Sequence, residues 1–206
     1  MKAYLYVLDT LADWEIAYIT LEFHSGRYLD NAGSPVTITK LGYNKKAITT
    51  MGGLTIIPDN SFANIKFETG DLLILPGGST WMDDENQEII KKLPELIKSK
   101  VFVAAICGAT VALAKNGLLD FIKHTSNDKE YLKMICPEYK GELNYINEPA
   151  VTDGNVITAS GLAPVEFSYQ VFRATGVMKK TTADTWLNLH QTRDMKYFRL
   201  LLTSIV

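Results

Sequence analysis

The sequence predicts an α/β protein with a doubly wound, mainly parallel sheet and helices on both faces. Short β-prone runs alternate with helix-like segments from the first residues onward. The runs "DLLILPGG" (71–78) and "VFVAAI" (101–106) are almost entirely apolar, as expected for strands buried on both faces of a parallel sheet. No repeat, low-complexity segment or linker interrupts the 206 residues, which favours one domain over 1–206.

The elements follow from local pattern in chain order. A β-branched and aromatic run begins the chain, and apolar residues at helical spacing follow from Ile16 to Leu29, with Gly33 and Pro35 as the predicted stop. The further predicted elements are a strand at 35–41, a buried strand in 71–78, a helix at 86–100 interrupted by Pro94, a buried strand at 101–106 followed by a short helix, a helix at 127–136 and a helix at 163–175.

Two features near the C-terminus complete the pattern. Asp153-Gly154 separates two β-prone runs, which is a strong hairpin signal. The tail, about 183–206, is predicted to be helical and stays apolar to its last residues. An exposed apolar tail would be unusual, so we expect it to be buried against the domain or a partner subunit.

Composition excludes several classes of protein. Hydrophobic residues make up 47% and charged residues 21% of the chain, and the net charge of -2 gives no reason to expect nucleic acid as a partner. No apolar run approaches the roughly 18 residues of a membrane span, and the N-terminus lacks the features of a signal peptide. The two unpaired cysteines and three scattered histidines suggest a cytoplasmic protein with reduced thiols and no metal. Without a phosphate-binding loop, no cofactor is expected.

The ends of the two buried strands hold the candidate site, because ligands bind beyond the carboxyl ends of parallel strands. Gly77 and Gly78 follow the first, and Cys107 and Gly108 follow the second. A cysteine at an abrupt strand-to-helix junction, flanked by small residues, fits a nucleophile elbow. The helix N-terminus would favour its thiolate, and the N–H groups of Gly78 and Gly108 could stabilise an oxyanion. The alternative is an inert core cysteine that happens to end a strand.

Glu15 is the candidate acidic partner. Thr10 and Asp13 have the spacing of a capping box, which places Glu15 in the first turn of the first helix. Since the first strand of a doubly wound sheet is usually central, this carboxyl could reach Cys107, and burial would then raise its pKa. The alternative is an ordinary first-turn acid favoured by the helix dipole.

Taken together, these segments resemble the DJ-1/PfpI family, part of the class I glutamine amidotransferase-like superfamily. The resemblance covers most of the first 175 residues, and the combination of "LLILPGG" with "AICGA" is its most specific part. It implies a flavodoxin-like fold, a reactive Cys107, an acidic partner at Glu15 and backbone donors at Gly78 and Gly108. It also points to a homodimer.

The sequence departs from the family pattern at its histidines. Relatives proposed to be peptidases carry histidine directly after the cysteine, where this chain has Gly108. The position of a second family histidine corresponds to Asn127, and His124 lies three residues earlier. An odd displacement turns His124 away from Cys107 in an extended strand, whereas in a loop it could still reach as a base.

Two function classes follow from the residues and the resemblance. One is a cysteine-dependent hydrolase, peptidase- or amidase-like, or a glyoxalase-like enzyme acting on reactive aldehydes; its substrate would be a small molecule or peptide. The other is a non-enzymatic redox or stress sensor oxidised at Cys107, since a carboxyl can hydrogen-bond the oxygens of an oxidised sulfur. A binding protein that has lost the reaction is a third reading.

Overall fold

The computed structural model describes residues 1–30 and 34–203. A seven-stranded sheet with strand order β5-β2-β1-β6-β7-β9-β8 forms its centre, and a separate two-stranded ribbon pairs β3 with β4. The predicted doubly wound, flavodoxin-like α/β fold is confirmed. The strands are β1 (Ala3–Tyr6), β2 (Ile38–Gly42), β3 (Ile48–Thr49), β4 (Thr55–Ile56), β5 (Asn60–Ser61), β6 (Leu72–Leu75), β7 (Phe102–Ile106), β8 (Ala150–Asp153) and β9 (Val156–Ala159).

Helices surround this sheet and bury its apolar strands. Every residue of β1, β6 and β9 is buried, as the continuous apolar runs predict. The helices are α1 (Asp13–Ser25), α2 (Asp84–Lys98), α3 (Gly108–Lys115), α4 (Lys129–Ile135), α5 (Pro164–Thr175), α6 (Lys180–Thr192) and α7 (Met195–Thr203). Two short 3-10 turns, at Phe62–Asn64 and Glu142–Asn144, lie in the connections.

The parallel register brings four chain segments to one edge of the sheet. β1 pairs in parallel with β6, β6 with β7, and β7 with β9. Because parallel strands end at the same edge, the residues that follow these four strands meet there. At the end of this sheet β8 pairs antiparallel with β9, and this pair is the hairpin predicted at Asp153-Gly154.

The first helix differs from its prediction at both ends. It ends at Ser25, and Gly26 follows with a φ of 64°, the left-handed conformation of a helix C-cap. The predicted continuation to Leu29 is therefore wrong, and the predicted stop at Gly33 lies outside the described residues. The capping box is also wrong: the cap residue is Ala12, while the Thr10 hydroxyl accepts a hydrogen bond from the Ser79 N–H at 2.8 Å.

The C-terminal region forms α6 and α7. Leu201 is buried, whereas the other apolar side chains of α7 face outward. Pro94 lies within α2 without dividing it into two helices. Within residues 1–30 and 34–203, no helix combines the length and apolar character needed to cross a bilayer.

Candidate active site

Cys107 occupies a strained turn between β7 and α3. Its φ of 58° and ψ of -123° lie in a region that side chains other than glycine rarely adopt. The Cys107 N–H donates to the Ala159 carbonyl at 3.0 Å, which ties the turn to the end of β9. Cys107 remains partly accessible. This conformation projects the sulfur at the carboxyl edge of the sheet, as expected of a nucleophile elbow.

Glu15 lies beside this sulfur. The side chain, in the first turn of α1, is completely buried, and its Oε2 accepts a hydrogen bond from the Gly77 N–H. Its Oε1 has no N–H or O–H partner among the described residues, and the carboxyl interacts with the Cys107 thiol. Burial raises the pKa of Glu15, while the Gly77 and Cys107 contacts oppose the rise.

Two glycines make room for this pair. A Cβ at Gly77 would lie 2.6 Å from Glu15 Oε2, and a Cβ at Gly161 would lie 2.7 Å from Cys107 Sγ and 2.9 Å from Glu15 Oε1. Real Cβ atoms do not approach other atoms this closely. The carboxyl and thiol can therefore meet only because both neighbouring backbone positions lack side chains.

Asn127 is the third side chain at the sulfur. Its Nδ2 donates to Cys107 Sγ at 3.3 Å, and its Oδ1 accepts from the Gly161 N–H at 2.8 Å. The second bond fixes the amide so that its NH₂ faces the sulfur. Asn127 therefore stands where the family pattern has histidine, and it supplies a neutral donor that cannot act as a base.

These neighbours act on the thiol in opposite directions. Burial raises the pKa of Cys107, and the Glu15 charge raises it further. The Asn127 amide and the Gly108 N–H favour the thiolate and lower it. The net effect is a raised pKa of Cys107, whereas the helix N-terminus alone would lower it. Because the pKa of Cys107 lies above its ordinary value, the sulfur carries its proton at neutral pH, next to a carboxyl whose own pKa is raised by burial.

Gly108, which follows Cys107, packs against the backbone of Gly78. The Gly108 N–H, at the first position of α3, favours the thiolate form of Cys107. A Cβ at Gly108 would lie 2.6 Å from the Gly78 carbonyl oxygen and 3.3 Å from the Gly78 nitrogen. This packing explains the missing histidine after the cysteine, since any side chain at Gly108 would strike the Gly78 backbone.

The structure does not bring His124 to Cys107. His124 is completely buried, with Nδ1 bonded to the Ile122 carbonyl at 2.7 Å and Nε2 bonded to the Tyr139 hydroxyl. Its backbone forms an isolated bridge with Tyr145, and its ring packs edge-on against the rings of Tyr139 and Tyr145. Since both ring nitrogens are engaged and burial lowers its pKa, His124 is placed as a packed core residue rather than a base.

Trp14 stands at the rim of the site. Its Nε1–H donates to the Gly161 carbonyl at 3.1 Å, and about half of the side chain is exposed. Trp81, in contrast, is buried and donates to the Pro76 carbonyl at 2.8 Å, which supports the turn after β6. One tryptophan therefore borders the entrance, and the other packs beneath the turn.

Sequence reasoning missed the contacts of Asn127 and Gly77. From the sequence, Asn127 is only the position of an absent histidine, and Gly77 is only a residue that follows a strand. A signal for Asn127 was present, because the family pattern has a histidine at this position. No local signal identifies Gly77 as the residue that holds Glu15.

The fold and site define a class: a flavodoxin-like sheet carrying a cysteine elbow with a buried carboxyl partner. Residues 1–174 match the sequence pattern of the DJ-1/PfpI family. The chain therefore belongs to the DJ-1/PfpI family, as its motifs indicate.

Two Bacillus subtilis (strain 168) proteins are among its relatives. The chain is 45% identical over 204 residues to "Uncharacterized protease YoaZ", covering 99% of this chain and 97% of the relative. It is 32% identical over 169 residues to "Uncharacterized protease YdeA", covering 81% and 79%. Among solved structures, a thiJ/pfpI family protein from Bacillus anthracis is 48% identical with a TM-score of 0.95, covering 98% of this chain and 96% of that one.

Proposed function

We propose that the protein is a cysteine-dependent hydrolase, peptidase- or amidase-like, with Cys107 as nucleophile and Glu15 as its acid–base partner. The observation that carries this proposal is the buried carboxyl beside a thiol in a strained turn. The protease names of its Bacillus relatives agree with it. A buried carboxylate with a raised pKa is a stronger base than an exposed one, so Glu15 replaces the histidine that the site lacks.

The first half of the reaction acylates the sulfur. Glu15 accepts the thiol proton while the sulfur electron pair forms a bond to the substrate carbonyl carbon, and the carbonyl π electrons move to oxygen. The Gly108 N–H, with Gly78 beside it, stabilises this oxyanion. The carbonyl then re-forms, the bond to the leaving group breaks, and the leaving group takes the proton from Glu15.

The second half releases the acyl group. Glu15 accepts a proton from water as the water oxygen attacks the thioester carbonyl, and the sulfur leaves and recovers that proton. One water is consumed, and a carboxylic acid and the free thiol are formed. Because a carboxylic acid is the only proton donor at the leaving group, thioesters and aryl esters should react faster than amides.

Turnover on a panel of small-molecule and peptide substrates tests this proposal. We expect hydrolysis of thioesters or aryl esters that is lost in Cys107→Ala and retained in Cys136→Ala. Cys136 is the matched control, since it is the second free cysteine and is buried with its Sγ against the Val111 carbonyl. A panel without turnover, or turnover that survives Cys107→Ala, would refute the hydrolase. Reactive dicarbonyls belong in the same panel, because the glyoxalase-like alternative also uses Cys107.

A redox sensor is the second candidate, and Glu15 Oε1 favours it. Within residues 1–30 and 34–203 this buried oxygen has no N–H or O–H partner, so a protonated Glu15 could donate to an oxygen added on the sulfur. Peroxide would oxidise the thiol to sulfenic acid with release of water, and a second peroxide would give sulfinic acid. Stoichiometric oxidation of Cys107 without turnover on any substrate would favour this candidate over the hydrolase.

We also propose that a second copy of the chain covers α7 and that the homodimer acts in the cytoplasm. The helix exposes four apolar side chains, which are Met195, Phe198, Leu200 and Leu202. Paired substitutions Phe198→Glu and Leu202→Glu should convert a dimer into a folded monomer in sedimentation velocity. A wild-type protein that already sediments as a monomer would refute the dimer.

A further inference from the structure

A groove of about 360 Å³ borders the site on the side of α3. It begins at the backbone of Gly78 and Gly108 and ends at Lys115. Gly108, Val111 and Lys115 lie on one face of α3, because they are spaced by three and four residues. Its other apolar lining comes from the turn after β6 and from α4, namely Trp81, Met82, Tyr131 and Ile135.

Lys115 is the charged side chain of this groove. Among the residues that the structure describes, no carboxylate pairs with its ammonium, and the neighbouring α4 acid Glu130 pairs instead with Lys133 at 3.5 Å. Seven residues of helix separate Lys115 from Gly108, which is about 10 Å along the axis. The unpaired Lys115 therefore lies about 10 Å from the proposed oxyanion donors, at the end of the apolar groove.

We propose that this groove binds the apolar arm of an acyl substrate and that Lys115 binds a carboxylate at the end of that arm. The inference rests on the proposed reaction at Cys107 and names its substrate class: esters, thioesters or amides whose acyl chain ends in an acid. The carbonyl lies at Gly78 and Gly108, the chain contacts Val111 and Tyr131, and the carboxylate meets the ammonium.

The other large cavity does not suit such a substrate. It has a volume of about 370 Å³ and lies at the ends of β1 and β2, where Asp9, Asp83 and Glu85 line it. Lys46 also lines this cavity, but the three carboxylates outnumber it and disfavour an acidic chain. The groove along α3 is favoured because it combines Lys115 with Gly78 and Gly108, the proposed oxyanion donors.

A pair of thiol reagents tests the inference without requiring turnover. Maleimidohexanoic acid and its methyl ester share one reactive ring and one chain, and differ only in the terminal charge. The Cys107 thiolate adds to the ring double bond: a carbon–sulfur bond forms, the π bond breaks, and the adjacent carbon takes a proton from water. Labelling of the Cys107 peptide is followed by mass spectrometry, and each rate is divided by that of free cysteine.

The acid should label Cys107 about three- to fivefold faster than the ester, the size expected for a partly exposed ion pair. Lys115→Met should reduce this ratio to one or below, because the carbonyl end of α3 then faces the carboxylate alone. Lys115→Arg should preserve the ratio. Lys98→Met is the charge-matched control, since it removes a lysine from the last turn of α2 and should leave the ratio unchanged.

Equal rates for acid and ester in the wild type, or a ratio that survives Lys115→Met, would overturn the inference. The same experiment distinguishes the groove inference from the hydrolase proposal. A ratio that depends on Lys115 in a protein without turnover would uphold the groove and refute the hydrolase. If neither reagent labels Cys107, both the groove inference and the hydrolase proposal are refuted.

Discussion

Asn127 donates its side-chain amide to Cys107 Sγ at 3.3 Å, and its own oxygen is held by the Gly161 N–H. The sulfur therefore meets a neutral donor where the family pattern has an imidazole. This contact stabilises negative charge on sulfur without accepting a proton. Asn127 therefore stabilises the charge on the sulfur, and Glu15 transfers the proton.

Asn127→Leu should slow alkylation of Cys107 by iodoacetamide at neutral pH. The amide favours the thiolate, so its loss raises the pKa of Cys107 and lowers the reactive fraction. One hydrogen bond of about 1 kcal/mol corresponds to about a fivefold decrease. Asn116→Leu is the matched control, because its amide bonds the Ala112 carbonyl at the far end of α3. Equal slowing in both variants would contradict a specific role for Asn127.

Glu15→Gln should separate thiol ionisation from catalysis. The Glu15 charge raises the pKa of Cys107, so its removal should shift the pH profile of alkylation to lower pH. Hydrolysis should nevertheless fall by about 10²- to 10⁴-fold, because the general base is gone. Glu88→Gln, an exposed change on α2, should alter neither property. A shift of the alkylation profile to higher pH would instead mean that a protonated Glu15 stabilises the thiolate.

Gly161→Ala should disrupt the active site without a comparable effect on the rest of the fold. The new Cβ would lie 2.7 Å from Cys107 Sγ and 2.9 Å from Glu15 Oε1, so the thiol and carboxyl must separate. We expect loss of hydrolysis and slower labelling of Cys107. Gly154→Ala provides a destabilised control, since its φ of 59° strains alanine in a remote hairpin where a Cβ meets nothing within 4 Å. Normal hydrolysis in Gly161→Ala would show that the close approach is not required.

Cys107→Gly should be more stable than Cys107→Ala. A φ of 58° with a ψ of -123° costs a side chain about 1–3 kcal/mol, whereas glycine adopts it freely at some cost in unfolded-chain entropy. The expected net difference in the free energy of unfolding is about 1 kcal/mol, measured by urea denaturation. Equal stability of the two variants would mean that the turn relaxes once the sulfur is removed.

The sheet edge was predictable because its positions follow from topology. Residues directly after buried parallel strands meet at one edge, which identified Gly77, Gly78, Cys107 and Gly108 from spacing alone. Glu15 was predictable as a neighbour because β1 is central, although the capping box used to place it was wrong. The Thr10 side chain instead bonds Ser79, a residue 69 positions later.

The remaining features depend on contacts between distant segments. The pKa of Cys107 is raised by burial beneath several elements and by the Glu15 charge. Neither effect can be inferred from the position of Cys107 before a helix. The ring of His124 bonds the Tyr139 hydroxyl, and its backbone forms an isolated bridge with Tyr145, neither of which the local sequence indicates. The groove at Lys115 requires α4 to pack beside α3, and no pattern in either helix specifies that packing.

Trapping of an acyl-enzyme tests the central claim most directly. The wild-type protein is mixed with para-nitrophenyl acetate, quenched in acid at successive short times and digested, and the Cys107 peptide is analysed by mass spectrometry. We expect an acetyl group on Cys107 that forms with the first equivalent of nitrophenol and disappears as turnover ends. The Cys107→Ala protein should show no such adduct. Nitrophenol release without acetylation of Cys107, at an equal rate in Cys107→Ala, would contradict Cys107 as the nucleophile.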